Sequence, residues 1–166
     1  MTSSGLRETP FTGVRLRVDS DKTYDELVSA LFDDVGAKPV PVDDFSKTFD
    51  SWEAYEKEVE SHTGPSGFSL FTVFDHGRWI ALAGVERKAL RVIIGNPLIA
   101  ITMIRHDVTA GLFAPVELLV LEEDGGRSSI TYLKPSSLMV VETNPPLLAA
   151  AEELDRELAA LVAKVA

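Results

Sequence analysis

His76 stands directly after Asp75, where the aromatic and β-branched run FSLFTVFD gives way to Gly77. An imidazole exchanges protons near neutral pH and a neighbouring carboxylate or a turn can orient it, so His76 is the first candidate for general acid–base work. His106 is the second, between Arg105 and Asp107 at the polar end of the apolar stretch PLIAITMI. Tyr132, on a later apolar run, completes the catalytic candidates, since either it or Arg105 could hold a developing oxyanion. The ligand-binding candidates are Asn96, Arg105, Asp107 and Lys134. Asn96 opens a helix straight after a strand-like run, where free N–H groups and a partial positive charge suit a carboxylate or phosphate.

Each candidate also has a structural reading. Asn96 can simply cap its helix while Gly95 permits close packing. A histidine fixed by hydrogen bonds is commoner than a catalytic one, and adjacent strand residues face opposite ways, so Asp75 need not touch His76. A cationic His106 at a helix end would stabilise the dipole without any chemistry, and Arg105 and Asp107 can close one helix and start the next turn.

Much chemistry is excluded by what the chain lacks. It has no cysteine, which removes thiolate metal sites, disulfides and cysteine nucleophiles. Its three histidines, His62, His76 and His106, show neither HxH nor HExxH spacing, so no metal site is expected. With no GxSxG, Walker or GxGxxG motif, serine hydrolase, P-loop and dinucleotide-fold readings fail, and no cofactor is expected. A net charge of −10 on 166 residues repels phosphate backbones and anionic lipid, so nucleic acid and membrane are not expected partners. The start, MTSSGLRETP, shows no basic segment followed by an apolar one, which points to the cytoplasm.

The elements that must position these residues are legible from periodicity. Phe11 to Val18 alternates as a half-exposed strand. Thr23 and Glu26 have capping-box spacing ahead of a helix that Gly36 stops in a left-handed conformation. Phe68 to Asp75 fits a strand buried on both faces, Arg78 to Gly84 is ambiguous between strand and helix, and Ala89 to Gly95 is a strand closed by Asn96-Pro97. A helix follows to about Arg105, and Val116–Glu122 and Ser129–Leu133 form a hairpin across Glu123 to Arg127. From Asn144 a last helix carries Leu147, Ala151, Leu154, Leu158, Leu161 and Val165 as an apolar seam that either docks across the sheet or joins two copies in a homodimer. A single domain covers residues 1–166, with a flexible 1–10, an insertion or lid at 37–67 and the final helix at 144–166. Packing is favoured over a lid because Trp52 and Tyr55 would cover core surface.

The stretches GFSLFTVFDHGRW, RVIIGNPLIAITMIRHD and AGLFAPVELLVLEEDGGRSSITYLKPSSL, in this order and spacing, resemble domain of unknown function family 302. Gly95-Asn96-Pro97 after a strand, Leu112-Phe113-Ala114-Pro115 before one, and Tyr132 close to Pro135 carry the likeness, which spans about Gly67 to Leu138 and, more loosely, Phe11 to Gly36. The resemblance implies an α+β fold on a β-α-β-β-β-β-α plan, similar to the TATA-binding-protein-like fold: a curved antiparallel sheet of about five strands backed by helices. The shortest family members lack the segment 37–67. The expected function is a module that binds a small apolar or anionic metabolite in a hollow enclosed by the sheet. Two alternatives stand beside it: a cofactor-independent lyase, isomerase or cyclase using a histidine, and a homodimeric interaction protein without ligand.

Overall fold

Five antiparallel strands form one open sheet in a computed structural model that describes residues 5–166. In chain order they are β1 (Arg15–Ser20), β2 (Ser69–Asp75), β3 (Ala89–Gly95), β4 (Val116–Glu123) and β5 (Arg127–Leu133), and in space they run β1-β5-β4-β3-β2. Side chains alternate across the sheet, so register fixes which residues share a face. Leu16, Tyr132, Leu118 and Val92 form one cross-strand row, and Val18, Ile130, Val120 and Leu90 the next. These two rows face the core. The intervening row, Arg17, Thr131, Leu119, Arg91 and Phe74, faces the other way.

Among the described residues seven helices accompany the sheet: α1 (Tyr24–Val35), α2 (Val42–Thr48), α3 (Trp52–His62), α4 (His76–Ile80), α5 (Pro97–Ile104), α6 (Pro135–Met139) and α7 (Pro145–Val165). The expected capping box starts α1: Thr23 Oγ1 accepts from the Glu26 N–H while Glu26 accepts from the Thr23 N–H. Leu27, Leu31 and Val35 of α1 and the whole seam of α7 are buried in one core with the inward sheet rows. The seam therefore docks within the chain. Gly36 ends α1 with φ of 90° and ψ of 152°, a positive φ but not the left-handed helical stop expected. Lys164 pairs with the buried Asp34 at 2.6 Å, and Asp34 also accepts from Ser66 Oγ, tying α7 to α1 and to the loop before β2.

Two further expectations need correction, and one left open is settled. Strand pairing begins at Arg15, not Phe11, because residues 11–14 lie outside the ladder and only the Val14 carbonyl accepts from the Lys134 N–H. The stretch after Phe68 is an edge strand and not one buried on both faces, and Phe74 and Asp75 at its end are exposed. The ambiguous segment is helical: Asp75 caps α4 through the Arg78 N–H, and a 3-10 turn follows at Ala81–Ala83. Of the N-terminal stretch expected to be flexible, residues 1–4 lie outside the described residues. The 37–67 segment folds as α2 and α3, held together by Phe45 stacked on the His62 ring at 5.2 Å. It packs at the sheet edge and against α5, where Trp52, Tyr55, Pro97 and Ile101 line a shallow cleft; Val59 is buried, whereas Trp52 stays 51% exposed.

Candidate functional site

Among the described residues no helix layer covers the second face of the sheet as α1 and α7 cover the first, and a hollow of about 290 Å³ opens there. Its floor is Leu119 and Thr131, and its rim is Arg15, Arg91, Glu117, Leu133 and His76. Arg91 and Glu117 are placed by register: each is an outward residue of a central strand, one step apart diagonally, since Arg91 pairs with Leu119 and Ile93 with Glu117. Their guanidinium and carboxylate are hydrogen-bonded and half-exposed, and the Arg91 guanidinium lies 5.7 Å from the Phe74 ring centroid. A cation against a ring face holds its plane across the sheet.

His76 is held from its own helix. Trp79 Nε1 donates to His76 Nδ1 at 3.1 Å with the rings edge-on at 87°. An acceptor at Nδ1 makes Nε2 the protonated nitrogen of the neutral ring, so the imidazole presents a donor. Arg15, on the outer strand, makes no ion pair among the described residues, whereas Arg17 one step further is taken up by Asp19 and Glu123. Two guanidinium groups, an imidazole and one carboxylate thus line one hollow, a cationic spot on a chain of net charge −10. This arrangement can hold an anion against a largely apolar floor that includes the Thr131 hydroxyl.

The remaining sequence candidates are not gathered there. Tyr132 borders the hollow, but its side chain belongs to the inward row and is 5% exposed; burial, and secondarily Asp155, pushes its phenol above the ordinary range. Asn96 sits at the opposite end of the β2–β3 pair from His76, on the order of 20 Å away by strand rise. Its side chain is used twice, accepting from the Leu98 N–H and donating to the Gly67 carbonyl. Arg105 Nε donates to the Ile101 carbonyl, and the carbonyl of the exposed His106 accepts from Asn144 Nδ2. Asp107 caps the next turn, where hydrogen bonds from Thr109 hold its carboxyl below the usual range. Lys134 approaches Asp155 at 3.8 Å. Of the three catalytic candidates, the lining of this hollow includes His76 and Tyr132 but not His106.

Arg15, Arg91 and Glu117 escaped the sequence reading because they pass for the polar half of an alternating pattern. A signal was present: a charge within ALRVIIG or VELLVLEE interrupts strands otherwise apolar on both faces. Gly95, flagged for close packing, does that work. A Cβ there would stand 2.8 Å from the Phe71 ring, which a bulge between Leu70 and Thr72 turns across it.

The family model described as domain of unknown function DUF302 matches residues 45–165, most of the sheet and all of its later helices. The chain belongs to the DUF302 family. A crystal structure of an uncharacterized conserved DUF302 protein from Bacillus stearothermophilus is similar at 19% identity, with a TM-score of 0.65 over 92% of this chain and 98% of that one. So distant a likeness speaks for the fold of this DUF302 chain alone. No curated protein matches. Among the described residues no three His, Asp or Glu side chains gather as metal ligands, and no helix is long and apolar enough to cross a membrane.

Proposed function

We propose that this protein binds a small anionic molecule with an apolar portion on the exposed face of its sheet. The observation that carries the reading is the grouping of Arg15, Arg91 and the His76 ring around an apolar floor in the middle of that face. Guanidinium groups recognise carboxylates through paired N–H donors, and a concave apolar floor supplies affinity that the charge alone does not. Arg91 is already oriented by Glu117 and Phe74, so little ordering entropy opposes binding.

Titration with a panel of aliphatic and aromatic carboxylates, read by thermal shift and calorimetry, tests this. Binding is expected for acids and not for the matching amides, and Arg91→Met should weaken it about tenfold or more, the scale of a charge-assisted hydrogen bond of about 1.5–3 kcal/mol. Equal binding by wild type, Arg91→Met and Arg15→Met would remove the site from the sheet face.

A further inference from the structure

A second hollow, of about 310 Å³, lies beside the first and shares Arg91, Glu117 and Leu133 with it. Its other walls are Ile93, Leu112, Phe113, Pro115 and Leu138, with no further charged side chain. Ile93 is the next outward residue along β3 after Arg91, and Pro115 leads into β4, so the floor continues without a break toward the far end of the strands. The two hollows differ in chemistry: one holds the cationic groups, the other is apolar apart from the ion pair at the boundary.

We infer that they are head and tail compartments of one trough, and that its ligand is an elongated monocarboxylate with an apolar tail. The inference rests on the anion-binding reading above and adds the length and polarity of the ligand. The carboxylate lies among Arg15, Arg91 and the His76 Nε2–H, and the tail runs past the Arg91–Glu117 pair onto Ile93, Phe113 and Leu138. A cavity of about 150 Å³ accommodates benzene, so the tail compartment has room for about two rings or an acyl chain of comparable bulk. A dicarboxylate would bring its second charge into a compartment without a basic partner beyond Arg91, and a neutral alcohol would leave the cationic head unpaired. Those exclusions narrow the ligand class.

The chain has two tryptophans, Trp52 in α3 and Trp79 against the His76 ring, so a Trp52→Phe protein reports on the head compartment through Trp79 fluorescence. Dissociation constants are measured for hexanoate, octanoate and decanoate, for a biphenyl carboxylate, for 1-decanol, and for the ten-carbon dicarboxylate. Affinity should rise about fourfold per added methylene until the compartment fills, as burial of about 0.8 kcal/mol per CH₂ requires. Biphenyl carboxylate should bind with the longer acids, and decanol and the dicarboxylate at least tenfold more weakly than decanoate. Ile93→Glu should flatten the chain-length dependence, with decanoate losing more affinity than hexanoate. Leu112→Glu, at a site 80% exposed and outside the core, repeats the test without risk to folding.

Arg91-dependent binding that is indifferent to chain length overturns the trough and leaves the anion site standing. A chain-length dependence untouched by both variants also overturns it, since the tail then lies elsewhere. Failure of every acid to bind defeats the anion-binding reading itself.

Discussion

At the residue scale, the charges on the exposed sheet face are the informative ones. The Arg91–Glu117 pair is half-exposed, and such pairs contribute about 0–1 kcal/mol, so a stability role does not account for a guanidinium in the middle of a central strand. Arg91→Met should therefore leave the urea midpoint within what a loss of about 1 kcal/mol allows while it removes acid binding, a separation that equilibrium unfolding and calorimetry measure together. Tyr24 gives a pH signature. Burial first, and then the carboxylates of Asp75, Asp25 and Glu122, push its phenol from 10.0 up to about 12. Because the folded value is the higher, this contribution to stability is fully present below pH 10 and is lost as pH rises to about 12. Unfolding free energies measured from pH 9 to 11.5 should fall less steeply for Tyr24→Phe than for the parent.

At the element scale, close approaches and caps set where the strands end and the helices begin. Gly95 lets β3 pass under the Phe71 ring and Pro115 before Asn96 starts α5. A methyl at that position must displace an aromatic ring and a proline, so Gly95→Ala should destabilise by about 1–3 kcal/mol, the cost of overpacking. Its effect should be global, seen as an earlier thermal midpoint with unchanged circular dichroism below it. The register of β3 on β4 also puts Ile93 opposite Glu117, so the trough proposed above owes its continuity to this pairing.

At the scale of the whole molecule, one layer of helices on one face of an open sheet leaves the other face uncovered. Burial within the chain claims the α7 seam, with Leu158 1% exposed among α7's partners in the core. Leu158→Ala should cost about 2–5 kcal/mol, as large-to-small core changes do, and should act on folding and not on mass. Denaturant unfolding beside light scattering checks this: a dimer that dissociates with the monomer fold intact would place the seam at an interface.

Periodicity and caps made most of the fold legible in the chain alone. The Thr23–Glu26 box, the ALRVIIG strand, the Asn96-Pro97 and Asn144-Pro145 helix starts and the β4–β5 hairpin are local events, decided by backbone groups and side chains a few residues apart. Single residues such as His76 could be picked out because imidazole chemistry depends on residue type. What only the tertiary structure decided was company. Arg15, Arg91 and Glu117 are far apart in sequence, and they share one face and line one hollow because strand order sets β1, β5, β4 and β3 side by side and register sends all three outward; the same registry turned Tyr132 into the core. Strand order is a long-range choice made by burying the other face under α1 and α7, and no window of a dozen residues contains it.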